Sequence, residues 1–380
     1  MGKLTQEFGM NFNPGPVVLL GSGETSPNIR KVYDRLFRRL AAPVHVAILE
    51  TPAGFEPNSA FVAGQIRDYV AKRLQNYRPQ ITLVPARKKG TDFSPDDPAL
   101  LPPLYAADVL LTGPGSPTYA VRQFQESLAW HTLQACHRLG ATVIFASAAT
   151  IASSAHALPV YEIYKVGEDL HWKPGLDFFG SYGLNLVFVP HWNNNDGGVD
   201  LDTSHCYIGT ARYDALVAML PAPPHTPTIV GIDENTALVI EPAAGECWVQ
   251  GPGGVTVIRD GEVRHFGGGT TFAATELGPF HLPDAAAGLP AEVWADTRAA
   301  VAEARRQRAA QPTPPDAVLA LAEARQAART ARDWAEADRL RDEITAAGWT
   351  VQDTPDGPVL EPVLVPSTQS GGAKQNWGHR

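Results

Sequence analysis

The sequence predicts an α/β fold in which helices cover both faces of a mostly parallel sheet, followed by a small C-terminal helical module. Up to about residue 147, short apolar runs alternate with helical patterns, and the runs are apolar at almost every position. Strands buried on both faces have this character, and the alternation implies βαβ units. A shift in composition after about residue 283 predicts the separate module. With 380 residues, 44% of them hydrophobic and 19% charged, the chain can bury a full core.

The elements of the first domain follow in a regular order. Strands are predicted at 16–21, 44–54, 81–87, 107–115 and 141–146, and helices at about 28–40, 59–77 and 119–139. After Ser147 the pattern changes, and strands are predicted at 184–192, 228–233, 236–242, 245–251 and 254–261. Gly-rich turns separate the last four of these strands, which predicts antiparallel hairpins at one edge of the sheet. The first domain then closes near Phe280.

Four regions are predicted along the chain. They are an α/β domain at 1–283, an Ala- and Pro-rich helical linker at 284–315, a helical hairpin at 316–364 and a disordered tail at 365–380. Pro312, Pro314 and Pro315 end the linker, because proline cannot continue a helix interior. Apolar residues three or four positions apart predict the two helices of the hairpin, and a turn is expected at 355–357.

Charge and cysteine content exclude several classes of function. Lys plus Arg total 31 and Asp plus Glu total 40, for a net charge of −9, whereas a general nucleic-acid binder needs a basic surface. Cys136, Cys206 and Cys247 are far apart and odd in number, so neither a disulfide framework nor a Cys-rich zinc site is expected. We find no secretory signal and no apolar run of membrane-spanning length, and no motif predicts a cofactor. The expectation is a cytoplasmic protein without membrane contact.

Three segments with chemically useful groups lie at or near predicted strand ends. They are the TGPGS break at 112–116, Ser147 and His191. In an open parallel sheet, functional groups collect where strands end, so these segments are expected to converge. Ser147 follows a strand and precedes a run of small residues, which is the position of a nucleophilic serine on a sharp strand-to-helix turn.

A serine nucleophile needs a base, a carboxylate and donors for the oxyanion. His191 is the candidate base, and Glu162, Glu168 and Asp169, which lie between Ser147 and His191, are the candidate carboxylates. The oxyanion hole is expected from backbone N–H groups near Gly113–Gly115 and at Ala148. Pro114 has no N–H, so Gly115 or Ser116 must supply the donor in the first loop.

The first 280 residues resemble the class I glutamine-amidotransferase-like fold, which is flavodoxin-like, and within it peptidase family S51. The resemblance rests on LLGSGE (19–24), LLTGPGSPTYAVRQF (110–124), ATVIFASAA (141–149), GLNLVFVPHW (183–192) and GIDENTALVIEP (231–242), in the family's order. It implies a cyanophycinase- or dipeptidase-E-like serine hydrolase that cleaves a small peptide or isopeptide bond. It carries the nucleophile to Ser147, the base to His191 and the acid to Glu162.

The nucleophile turn departs from the family pattern G-x-S-A-G. Phe145 and Ala149 stand where glycine is usual, which leaves a catalytically inactive ligand-binding protein of the same fold as the alternative. Arg212 is expected either to meet a substrate carboxylate or to lie on a helix surface. The Asn- and Asp-rich stretch at 193–202 is interpreted as a turn on the substrate side, because its spacing fails the calcium-loop pattern.

Residues 321–362 resemble the C-terminal helical end of cysteinyl-tRNA synthetase. The shared features are an Ala- and Arg-rich helix, the stretch DWAEADRLRD and a DTPDG turn. The nucleotide motifs of a class I synthetase are absent from the sequence, so aminoacylation is not implied. Arginines and carboxylates alternate along both helices, which favours a salt-bridged helix pair over an RNA-binding surface. Three kinds of partner therefore remain as expectations: a small peptide-like substrate, a second copy of the chain, and tRNA or a protein bound by the tail.

Overall fold

A computed structural model describes residues 13–310, 312, 314–354 and 357–363. The chain divides into two compact units, Met1–Arg305 and Arg306–Arg380. The strands of the first unit are β1 Val17–Leu20, β2 His45–Leu49, β3 Gln80–Val84, β4 Val109–Thr112, β5 Thr142–Ala146, β6 His156–Ala157, β7 Lys173–Pro174, β8 Leu186–Val189, β9 Thr228–Ile232, β10 Ala237–Glu241, β11 Glu246–Gln250, β12 Gly254–Arg259, β13 Glu262–Gly267 and β14 Thr271–Ala273. Its helices are α1 Pro27–Phe37, α2 Ser59–Arg73, α3 Pro102–Ala106, α4 Pro117–Phe124, α5 Leu128–Arg138, α6 Ala148–Ala152, the single turn α7 Ser204–Tyr207, α8 Thr210–Val217 and α9 Ala291–Ala310.

The main sheet has eight strands in the order β14-β11-β10-β1-β5-β4-β2-β3. Five neighbouring strands of this sheet, β1, β5, β4, β2 and β3, are mutually parallel. Strands β10, β11 and β14 add an antiparallel edge beside β1. Alternate residues of each strand face opposite sides: Val18 packs with α1 and α2, whereas Val17 packs with α3 and α5. The predicted α/β fold with helices on both faces is therefore confirmed.

A second sheet with the order β13-β12-β9-β8 was not expected from the sequence. The segments at 228–233 and 254–261 were predicted at the edge of the main sheet, but only 236–242 and 245–251 lie there. Instead β9 pairs parallel to β8 and antiparallel to β12. All four predicted strands are short and apolar, and that local pattern does not say which strand each of them pairs with.

The single long helix expected at 119–139 is two helices. The chain turns at Glu126, whose φ is 54°, and Ser127 starts α5 by accepting a hydrogen bond from Trp130 N–H at 3.2 Å. Ser116 starts α4 in the same way, through Tyr119 N–H at 3.2 Å. Serine is a preferred helix N-cap, so each of these two serines marks a helix start that the apolar spacing conceals.

The segment expected as a linker contributes to the first core. Val301 of α9 is buried in that core, Trp294 packs against it, and Arg305 donates a hydrogen bond to Leu139 O at 2.7 Å. The first unit therefore extends to Arg305, past residue 283. No helix of the described residues is long and apolar enough to cross a membrane.

The second unit is a helical hairpin followed by a strand pair. It contains α10 Asp316–Thr330, α11 Trp334–Ala346, β15 Trp349–Thr354 and β16 Gly357–Pro362. Val318, Ala322, Ile344 and Trp349 form its small core. The buried Arg325 binds both carboxylate oxygens of Asp353, at 2.6 and 3.0 Å. Residues 355 and 356 of the expected turn and the tail at 365–380 lie outside the described residues.

We expect the first unit to lose stability in mild acid because of His137. Its imidazole is fully buried and lies 2.7 Å from Tyr182 Oη. Burial, and secondarily Arg138, lowers the pKa of His137 from 6.5 to about 3. The unfolded chain therefore binds a proton that the folded chain excludes, so the stability from this group is complete above pH 6.5 and is lost as the pH falls towards 3. The loss is about 1.4 kcal/mol per pH unit in that window.

Urea unfolding at pH 7.5, 6.0 and 5.0 measures this effect. His137→Gln is the matched variant, because its amide can still bond Tyr182 but does not titrate. The free energy of unfolding should depend less on pH in the variant than in the parent. Parallel pH dependences of parent and variant would contradict the assignment to His137.

Candidate active site

One continuous hydrogen-bonded chain joins Ser147, His191 and Glu234. Ser147 Oγ lies 2.9 Å from His191 Nε2, and His191 Nδ1 lies 2.8 Å from Glu234 Oε1. Ser147 follows β5, His191 follows β8, and Glu234 lies in the turn between β9 and β10. The structure thus brings together the serine and histidine singled out in the sequence, with a carboxylate that was not.

Ser147 has a strained backbone that releases its hydroxyl. Its φ of 50° and ψ of −102° are unfavourable for a residue with a side chain, by roughly 1–3 kcal/mol. Its N–H donates to Leu20 O at 3.2 Å, which holds the turn against the neighbouring strand. The side chain makes no capping bond to α6, so the hydroxyl is available to His191.

Phe145 and Ala149, which stand where the pattern G-x-S-A-G has glycine, adopt backbone conformations that do not require glycine. Phe145 is the fourth residue of β5, and its ring packs 5.1 Å from that of Phe178 in the core. Ala149 is a buried residue of α6. Neither has a positive φ, so the position that needs unusual backbone freedom is Ser147 itself.

His191 is held by its backbone as well as by its ring. Its N–H donates to Gly21 O at 3.2 Å, and its carbonyl accepts from Asn194 N–H and Cys206 N–H, both at 3.1 Å. The imidazole is 17% exposed and lies 5.8 Å from the Tyr207 ring, measured between centroids. These contacts restrict the ring to one orientation, in which its two nitrogens face Ser147 and Glu234.

None of the three carboxylates expected next to His191 makes a hydrogen bond with it. Glu162 lies in a π-helical turn and accepts a hydrogen bond from Thr118 Oγ1. Glu168 is exposed and lies 3.7 Å from His171. Asp169 is also exposed, and its carbonyl oxygen lies 2.8 Å from His171 Nδ1. Glu234 holds the place next to His191 instead.

Glu234 is not among the carboxylates predicted from the sequence, all of which lie between Ser147 and His191. It follows β9, which pairs parallel with β8, so the ends of both strands lie at the same edge. Its position at a turn between two predicted strands was a usable signal. A hydrogen bond from His191 lowers the pKa of Glu234, partial burial opposes this, and a bond from Asn194 lowers it further.

The loop after β4 lies beside Ser147, because Thr112 at the end of β4 pairs with Phe145 of β5. Ser116 is excluded as an oxyanion donor, since its N–H donates to Pro52 O at 2.9 Å.

Gly115 has a φ of 149°, and a Cβ there would come within 2.1 Å of Pro52 O. Among the described hydrogen bonds, none uses the amides of Gly113, Gly115 or Ala148. The Ala148 amide is the first of α6, where helical N–H groups lack partners.

The Arg212 guanidinium is partly engaged in hydrogen bonds to backbone carbonyl groups. Its Nε donates to Ile208 O at 2.5 Å and its Nη2 to Tyr207 O at 3.2 Å. Two of its nitrogens therefore hold the chain that precedes α8. The charged group that Tyr207 contacts through its side chain is Asp196, which accepts a hydrogen bond from Tyr207 Oη at 2.9 Å.

Comparison with known proteins supports the two resemblances separately. A solved peptidase from an acI-B1 Actinobacterium matches with a TM-score of 0.54 and 18% identity, over 69% of this chain and 98% of that one. This match shows the fold. Residues 311–357 match the family model of the cysteinyl-tRNA ligase anticodon binding domain.

Curated cysteine–tRNA ligases match short stretches of this chain. The cysteine–tRNA ligase of Opitutus terrae is 58% identical over 48 residues, which is 13% of this chain and 10% of that protein. The corresponding ligase of Burkholderia lata is 51% identical over 43 residues, 11% of this chain and 9% of that protein. The chain spans about a tenth of the length of these relatives. The chain therefore combines a peptidase-like α/β fold with a synthetase-like C-terminal segment.

Proposed function

We propose that the first unit is a serine hydrolase that cleaves a small peptide or isopeptide bond. The observation that carries this proposal is the chain of hydrogen bonds from Ser147 through His191 to Glu234. A serine hydroxyl is a weak nucleophile, and an adjacent imidazole oriented by a carboxylate is the arrangement that activates it. The strained, partly exposed turn at Ser147 and the peptidase-like fold support the same chemistry.

In the proposed reaction Ser147 Oγ attacks the scissile carbonyl carbon while His191 Nε2 takes the hydroxyl proton. Glu234 accepts the Nδ1–H bond and stabilises the imidazolium that forms. The amides of Gly115 and Ala148 are the proposed donors to the carbonyl oxygen as it gains negative charge. His191 then protonates the leaving amine, and water hydrolyses the acyl-serine by the reverse proton transfers.

Labelling with a fluorophosphonate tests this proposal without knowledge of the substrate. We expect the reagent to modify Ser147 stoichiometrically, as located by peptide mass spectrometry. His191→Ala is the control. Loss of labelling in this variant would show that His191 activates Ser147, whereas adventitious labelling would persist. A parent protein that stays unlabelled at all pH values would favour the catalytically inactive, ligand-binding alternative.

The match of residues 311–357 favours a second candidate function, in which the second unit docks the protein onto tRNA. Several of its arginines are already paired with carboxylates: Arg325 and Arg329 with Asp353, Arg339 with Glu336 and Glu343, and Arg341 with Asp338. Phosphates would have to compete with these carboxylates, so tRNA binding is expected to be weak and sensitive to salt.

Comparison of the full chain with a chain ending at Ala310 tests the tRNA candidate. This end point keeps α9, whose Val301 belongs to the first core. The full chain should bind a tRNA transcript at low salt at least about tenfold more tightly than the shorter chain. Equal affinities would remove the idea, provided that both proteins melt cooperatively and label equally at Ser147.

A further inference from the structure

We propose that Asn194 is a positioning residue of this site, which holds the Glu234 carboxylate as a second donor beside His191. The inference rests on the proposed function for its effect on Ser147, but the contact with Glu234 can be tested independently of catalysis. Asn194 lies in the stretch at 193–202, which the sequence suggested as a turn on the substrate side.

Asn194 and His191 bind the same carboxylate oxygen. Asn194 Nδ2 donates to Glu234 Oε1 at 2.9 Å, and His191 Nδ1 lies 2.8 Å from that atom. Asn194 is only 3% exposed, although the flanking Asn193 and Asn195 are exposed. A buried amide is stable only if its polar atoms are paired, and here the carboxylate supplies one of the partners.

The orientation of the Asn194 amide is fixed from both ends. Its Oδ1 accepts a hydrogen bond from Asp196 N–H at 3.2 Å, and its own backbone N–H donates to His191 O at 3.1 Å. A flipped amide would direct its carbonyl oxygen at the Glu234 carboxylate and its NH₂ at an N–H donor. Both contacts would then be repulsive, so Nδ2 must face Glu234.

Asn193, which directly precedes Asn194, binds the backbone of Glu234. Asn193 Oδ1 accepts the Glu234 N–H at 2.8 Å. Two consecutive asparagines after His191 therefore hold the main chain and the side chain of Glu234. This link connects the turn after β9 to the segment after β8, independently of the imidazole itself.

The chemical consequence concerns the charge on Glu234. Its side chain is 29% exposed, and partial burial disfavours the ionised form. A second N–H donor on Oε1 favours ionisation and reduces the basicity of that oxygen, so the proton remains on His191 Nδ1 and the Nε2 lone pair faces Ser147. Besides the adjacent Asp233, the titratable groups that interact electrostatically with Glu234 include Asp196, Tyr207 and the buried thiol of Cys206.

Titration of the Glu234 carboxyl carbon by ¹³C NMR in the full-length protein tests this role. Asn194→Asp preserves the shape and the acceptor for Asp196 N–H but replaces the donor with an acceptor, and Asn194→Ala removes the donor without adding charge. The Glu234 midpoint should rise in both variants, by roughly one unit in Asn194→Asp. Asn195→Asp adds the same charge at an exposed neighbour and should move the midpoint much less.

Unchanged midpoints in both Asn194 variants, or an equal shift in Asn195→Asp, would overturn the assignment. The pH profile of Ser147 labelling provides the second readout. Its acid limb should move to higher pH in Asn194→Asp, whereas a purely structural role would lower the melting temperature and leave the limb in place. If the parent is unlabelled at every pH, the proposed hydrolase function fails, and the Glu234 titration alone decides the role of Asn194.

Discussion

Replacing Ser147 with alanine should lower the rate of fluorophosphonate labelling, or of any hydrolysis found, by roughly 10⁴–10⁶-fold. The reason is that the attacking oxygen is removed while His191 and Glu234 remain. Fold stability should change by less than about 1 kcal/mol, since the hydroxyl makes one partly exposed bond and caps no helix. Mass spectrometry of the labelled protein and thermal melting measure the two effects.

Ser153→Ala is the matched control for this substitution. Ser153 is buried and directly follows the same helix, α6, but its hydroxyl donates to Thr150 O and does not contact His191. The control should retain labelling at Ser147. Full labelling or turnover in Ser147→Ala would place the nucleophile elsewhere.

Replacing Ser147 with glycine distinguishes the effect of backbone strain on stability from the effect of the missing hydroxyl on activity. Because Ser147 holds a φ of 50°, Ser147→Gly should be as inactive as Ser147→Ala but should melt at a higher temperature than Ser147→Ala. Such a difference would indicate that the fold holds this turn against a local conformational preference, in order to present the hydroxyl.

The main sheet could be predicted because its signal is local. Each parallel strand is a short apolar run followed by an amphipathic helix, and this pattern defines both layers. The second sheet could not be predicted, because β8 and β9 are joined by a long segment that runs from residue 190 to residue 227. The parallel pairing of Leu186–Val189 with residues 228–231 brings these strands together, and the register of distant strands is not encoded in either one alone.

The same distinction between local and distant signals explains the candidate site. Ser147 and His191 were found because each follows its own apolar strand, which is a local feature. Glu234 was missed because its proximity to His191 depends on the β8–β9 pairing. Ser116 was retained as a donor because the sequence does not show that Pro52 O takes its N–H.

Glu234→Gln compared with Glu162→Gln decides which acid serves His191. In Glu234→Gln the new side chain would retain the size but not the negative charge that stabilises the imidazolium, and its amide could orient the ring wrongly. We expect a loss of roughly 10³–10⁴-fold in the labelling rate of Ser147. Glu162→Gln should leave the rate within a few-fold of the parent, since Glu162 bonds Thr118 and does not contact His191.

The two substitutions remove the same charge from glutamates that each make hydrogen bonds, so they control for general effects of a lost carboxylate. Thermal melting separates a folding defect from a catalytic one, because a chemical role for Glu234 predicts a slow reaction in a protein that remains folded. If Glu162→Gln caused the larger loss while Glu234→Gln reacted normally, the proton would have to pass through a different arrangement of His191. The Glu234 contact would then be structural, and the assignment of the acid would return to the segment between Ser147 and His191.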